Sequence, residues 1–140
     1  MNGREFLQQI VDGTAPRAPI QDTLGFDFVE VGDGTAAFEC EVGERHYNPM
    51  GTVHGGVAST LLDSALGCAV LSALGEGVAY TTASLEVKLL RAMTASTGRV
   101  RAEAAVVHVG KRTATAEGRL VGPDGALYAT GTTTCVILGG

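Results

Sequence analysis

The chain has 140 residues, 45% hydrophobic and 18% charged, with a net charge of −5. That length and apolar content suit one domain over 1–140 with its own core, and exclude a disordered segment. The acidic balance, the 5% aromatic content and the absence of Trp exclude a general nucleic-acid binder that neutralises phosphates and stacks on bases.

In chain order, residues 4–11 carry Phe6, Leu7, Ile10 and Val11 at helical spacing and predict a short amphipathic helix. No leader-type apolar core precedes it, and no apolar run approaches the ~20 residues of a membrane span. A loop over 12–22, with Pro16 and Pro19, comes next. Residues 25–43 alternate, turn at Gly32-Asp33-Gly34 and alternate again, which predicts a β-hairpin. Pro49 and Gly51 then break the pattern. From about 57 to 74 there is no Pro and a single Gly, so a helix of ~27 Å is expected, apolar almost all round and therefore buried. Four strand-like runs follow, split by turn signals at Met93–Gly98, Gly110 and Pro123-Asp124-Gly125. They read as a four-strand meander. A hairpin, a central helix and a meander make an α+β domain, an antiparallel sheet curled around the helix.

Cys40, Cys68 and Cys135 are odd in number and lie in apolar surroundings, as reduced core thiols of a cytoplasmic protein would. Three scattered His and three scattered Cys lack ligand spacing, so no metal is expected. His46 and His108 have no acid or nucleophile nearby and default to surface or strand positions.

The chemistry concentrates in NPMGTVHGGVASTLLD, Asn48 to Asp63. Gly55-Gly56 stands at the start of the predicted helix, where backbone N–H groups lack partners and carry the positive end of the dipole. Two glycines let a substrate oxygen approach that backbone, or simply ease a tight turn into the helix. His54 is a base, an orienting group or a core histidine; Asn48 positions a reactant or forms the turn before Pro49. Asp63 is the only acid in the helix. Gly56, Thr60, Asp63 and Gly67 fall within about 60° on one face. A carboxylate in an apolar helix requires a cavity, a partner or solvent beside that stripe. It serves as nucleophile or as general base, or is a solvated surface acid.

Between residues 88 and 119 lie Lys88, Arg91, Arg99, Arg101, Lys111, Arg112 and Arg119 against only Glu103 and Glu117, 7 − 2 = +5 in a protein of net −5. Solvated strand faces or a phosphate-binding patch both account for this, with Arg91, Lys111 and Arg112 the best-placed candidates. No glycine-rich nucleotide loop is present.

Element order and motif together resemble the hotdog fold, and within it the acyl-CoA thioesterases of the phenylacetate-degradation and 4-hydroxybenzoyl-CoA type. The resemblance covers roughly residues 22–138. It rests on Asn48, Gly51, His54-Gly55-Gly56, Asp63 and Gly67, on the strand SLEVKLLRAM with Ala92 where Pro is common, and on the closing hairpin from Val109. It implies thioester hydrolysis, with coenzyme A only as part of the substrate. Gly55 N–H would polarise the carbonyl, Asp63 attack or activate water, Asn48 and Thr82 position, and His54 shape the pocket. Thr81 is the immediate rival of Thr82. It also implies a homodimer or a dimer of dimers with sites shared between chains. Distance agrees: eight helical residues separate Gly55 from Asp63 by ~12 Å, while reacting atoms must come within ~3–3.5 Å. A hydroxyacyl-thioester dehydratase and a non-catalytic acyl-CoA binder are the rival functions.

Overall fold

The computed structural model describes residues 1–140. Two helices, α1 (Gly3–Asp12) and α2 (Pro19–Leu24), precede the hairpin β1 (Phe26–Gly32) and β2 (Thr35–Glu41). The long helix α3 (Gly55–Ser72) follows, then β3 (Ala79–Leu89), β4 (Arg99–Val109), β5 (Thr113–Val121) and β6 (Leu127–Leu138). All strands pair antiparallel in the order β1-β2-β4-β5-β6-β3.

Two expectations are corrected here. The last four strands are not a meander, because β3 pairs with β6 and β4 with β2. Only β4-β5-β6 run as neighbours; the β3–β4 connection spans β6 and β5 and leaves β3 as a free edge. The loop 12–22 also ends in a helix: Pro19 starts α2 at a position where its missing N–H costs nothing, and Gly25, at φ 73°, closes it. The expected 4–11 helix spans Gly3–Asp12, its first turn held by reciprocal bonds between Asn2 and Glu5.

The central helix lies two residues earlier than the expected 57–74, because His54 caps it ahead of the glycines. It is long and apolar enough to cross a membrane by length and composition alone. Here all six strands pack against it, and Leu61, Leu62, Leu66, Ala69 and Val70 are almost wholly buried. Gly118 and Gly131 let it sit close: a Cβ on either would come within 3.4 Å of the Leu62 or Leu66 side chains.

The sheet face turned away from α3 carries the charges. Arg99 bridges Asp27 and Glu39, Arg101 bridges Glu30, Glu39 and Glu103, and Arg119 pairs with Glu103. Three of the seven basic residues of 88–119 are thus answered by carboxylates, Asp27 and Glu30 of β1, Glu39 of β2 and Glu103 of β4 itself. Sequence distance hid this pairing; register creates it.

Candidate active site

His54 holds the start of α3. Its Nδ1 accepts the Gly56 N–H at 2.7 Å and its carbonyl accepts the Val57 N–H at 2.9 Å. The ring is therefore a cap in its Nε2–H tautomer, the orienting role among those open to it. Capping consumes the Gly56 and Val57 donors, while the Gly55 N–H has no partner in the chain. Gly55 lines a cavity of about 310 Å³ together with Asn48, His54, Leu89, Arg91 and Tyr128 among others. A Cβ on Gly55 would lie 2.7 Å from Leu89 Cδ1, so a side chain there requires that flexible end to shift.

Asn48 reaches the same cavity with its amide mostly committed. Its Oδ1 accepts the Met50 and Thr52 N–H groups at 2.9 and 3.3 Å, and its Nδ2 donates to Thr52 Oγ1 at 3.0 Å. It builds the loop before it can touch a substrate. Beneath that loop lies His46, which the default reading put on the surface or a strand. It is instead buried, at 4% exposure. Its Nε2–H donates to the Leu24 carbonyl at 2.7 Å, its Nδ1 accepts from Gly43, and its own carbonyl accepts the His54 N–H. His46 therefore anchors the segment carrying Asn48 and His54. The sequence held no sign of this, because both bonds go to backbone.

Asp63 lies two turns along α3, half-buried, and its Oδ1 accepts the Thr82 hydroxyl at 3.0 Å. A bulge in β3 decides between Thr81 and Thr82: Thr82 faces Cys135 and Ser84 faces Thr134, leaving Ala83 unpaired. The extra residue turns Thr82 toward the helix, where plain alternation would have favoured Thr81. Around the pair the surroundings are dry. Burial, reinforced by Asp63, pushes the Cys68 thiol up to about 12, and burial likewise raises the Tyr80 phenol. Tyr80 rests on Gly67, where a Cβ would collide with its hydroxyl.

Asn48, His54, Gly55 and Arg91 thus meet at one cavity, and Asp63 meets Thr82 elsewhere. Lys111 and Arg112 join neither group. Arg91 N–H bonds to Tyr128 at one end of β6, and Arg112 accepts from Ile137 at the other. Nine strand residues separate those ends, ~30 Å. Within one chain Arg91 therefore stands apart from Lys111 and Arg112. A larger depression, about 610 Å³, lies over the outer charges, among Glu30, Arg101, Glu103 and Arg119. Those groups are already paired and it holds neither Gly55 nor Asp63, so the smaller cavity is the candidate site.

Six antiparallel strands packed against one helix make this a hotdog fold, that of a thioester hydrolase. The chain belongs to the thioesterase superfamily, whose family model matches residues 50–129. It is 30% identical over 95 residues to 1,4-dihydroxy-2-naphthoyl-CoA hydrolase of Listeria monocytogenes, covering 67% of this chain and 75% of that one. A phenylacetic acid degradation-related protein from Ralstonia eutropha JMP134 superposes with a TM-score of 0.82 at 29% identity, over 93% of this chain and 98% of the other. The E. coli PaaI protein from the phenylacetic acid degradation operon shares the fold at a TM-score of 0.85 and 24% identity, over 98% and 96% of the two chains.

Proposed function

We propose that the protein hydrolyses an aromatic or medium-chain acyl-CoA to the free acid and CoA, in a homodimer, or a dimer of dimers, whose sites each draw on two chains. One observation carries this reading. The open Gly55 N–H and Asp63 sit on one helix, two turns apart, and Thr82, the partner of Asp63, lies on an 11-residue edge strand with no partner on its outer side. An unpaired edge of that length, with Leu85 and Leu89 exposed, is a template for a second strand.

Helix and strand run in opposite directions, since Gly55 lies by Leu89 and Gly67 by Tyr80. Antiparallel pairing of two β3 edges about a two-fold axis would set each Gly55–Arg91 end beside the other chain's Asp63–Thr82 and Lys111–Arg112 end. Each separated half would thus find its complement. The thioester oxygen would then rest on Gly55 N–H, which stabilises charge developing there. Asp63 of the other chain would attack the carbonyl or take a proton from the attacking water, with Thr82 holding its carboxylate. If water attacks, Asp63 passes the proton it takes to the thiolate that leaves as the C–S bond breaks. If Asp63 attacks, breaking the C–S bond leaves an acyl-aspartyl anhydride, which water then hydrolyses to the acid and the carboxylate, supplying the thiol's proton. Arg91, with Lys111 and Arg112 of the other chain, would meet the phosphates of coenzyme A.

The names of the Listeria and Ralstonia relatives support an aromatic acyl group. Three unpaired cysteines suit a reducing cytoplasm. The test is a panel of aromatic and aliphatic acyl-CoAs with a thiol reagent present. Hydrolysis alone frees CoA, so binding without thiol release would overturn the reading, as would dehydration.

A further inference from the structure

Arg91 is one of four arginines without a carboxylate partner, with Arg4, Arg45 and Arg112, and of these it alone lies over an aromatic ring. Arg17, Arg99, Arg101 and Arg119 each hold a carboxylate, whereas Arg91 has none. Its guanidinium instead lies over the Tyr128 ring, 5.5 Å from the centroid, at the cavity that Gly55 lines. Tyr128 is only 7% exposed. Its carbonyl accepts both the Leu90 N–H at 2.9 Å and the Arg91 N–H at 3.2 Å, tying the end of β3 to the start of β6. Behind the ring stands Gly122, where a Cβ would lie 2.7 Å from Tyr128 Cε2. The chain leaves out a side chain at Gly122, and the space goes to this ring.

We propose that Tyr128 is a positioning residue, which holds the Arg91 guanidinium ready for a phosphate of the coenzyme half of the substrate. The inference rests on the reading of Arg91 given above. A ring occupies one face of the guanidinium and leaves its N–H fork free at the edge, the part that grips a phosphate with two parallel bonds. An arginine already paired with a carboxylate would have to give that pair up. An arginine on an aromatic platform gives up nothing and has lost much of its rotational freedom before binding. The phenol hydroxyl plays no part in this; the ring does.

Four variants test it, each assayed with acyl-CoA, acyl-dephospho-CoA and acyl-pantetheine: Arg91→Ala, Tyr128→Leu, Tyr128→Phe and Gly122→Ala. Loss of the platform should raise KM for acyl-CoA about 3- to 10-fold, the range of a partly desolvated cation–ring contact, with kcat within about two-fold. Tyr128→Leu and Gly122→Ala should both do this, the second by pushing the ring away, and Tyr128→Phe should retain the wild-type KM. None should alter KM for acyl-pantetheine. If the effect persists with acyl-dephospho-CoA the group held is the pyrophosphate; if it vanishes, it is the ribose phosphate. An unchanged KM in Arg91→Ala would defeat the coenzyme reading of Arg91 itself. A raised KM in Arg91→Ala with normal values in Tyr128→Leu and Gly122→Ala would defeat only the role of Tyr128. Equal losses with acyl-pantetheine would mark Tyr128 as a core residue and overturn the inference. Should Tyr128→Leu fail to fold, Gly122→Ala decides.

Discussion

Two defective chains should repair each other if the site is shared. One carries Asp63→Asn and the other Gly55→Pro, which removes the open N–H. Proline suits this place: Gly55 is the first helical residue, and His54 before it already has the extended backbone, φ −58° and ψ 134°, that a following proline requires. The cost is contact with Leu89 Cδ1, the end of a flexible side chain 2.7 Å from where a Cβ would stand. Gly55→Ala is therefore the control, since it makes the same contact and keeps the N–H. Alone, the proline variant should lose ~10²–10³ in kcat, the worth of one oxyanion donor. Random assortment makes about half of the dimers mixed. Each mixed dimer holds one site with intact Asp63 and intact Gly55 and one site lacking both, so about a quarter of wild-type activity should return. The assay is CoA release from co-expressed chains, with mixed dimers identified by mass. A site within one chain cannot be rescued by mixing, because the ~12 Å between the two groups remains. Activity no higher than that of the separate variants, with mixed dimers present, would therefore refute the shared site.

Asp63→Asn alone should lower kcat by ~10²-fold or more while thermal stability holds or rises, because it removes a half-buried charge and leaves an amide that can still accept from Thr82. Retention of most of the kcat would remove Asp63 from the chemistry. His46→Leu should cost about 2–4 kcal/mol in urea unfolding, because the Leu24 carbonyl and Gly43 N–H lose their partner; a change under about 0.5 kcal/mol would contradict its anchoring role. Acid unfolding should expose the outer ion pairs. Hydrogen bonds from Arg99 hold Glu39 below its ordinary 4.5 and Asp27 below 3.8. A depressed carboxyl contributes stability above its unfolded value and loses it as pH falls through its folded value. Wild type should therefore lose stability as pH drops below those values, and Arg99→Gln should lose less over the same range. Identical pH slopes would show that the pairs contribute nothing.

Periodicity exposed much of the fold in advance. The apolar stretch after Gly56 read as a buried helix, alternation marked the first hairpin, and turn signals divided the four later strands. What alternation could not reveal was which strand sits beside which, because pairing of β3 with β6 joins residues some fifty positions apart. The same limit applies to the site. His54 and Gly55 were legible because a helix start has local rules. The paired state of Arg99, Arg101 and Arg119 was not, since their carboxylates come from other strands. Tyr128 was also hidden, because a Tyr in a strand looks the same whether or not an arginine lies upon it.

The unpaired Ala83 splits β3 into two segments that are out of phase with each other. Tyr80 and Thr82 on one side of it belong to the surroundings of Asp63; Leu89 on the other belongs to the cavity before Gly55. Such a strand can be revised in halves. Substitutions at Leu89 can reshape what the cavity accepts while the carboxylate keeps its hydroxyl partner, and changes at 80–82 can retune the carboxylate without disturbing the cavity wall. If two such edges lie antiparallel, the accepting half of one chain is read against the reacting half of the other. In such a dimer a single mutation in one half of the strand would alter either substrate preference or reactivity, and would do so at both sites at once.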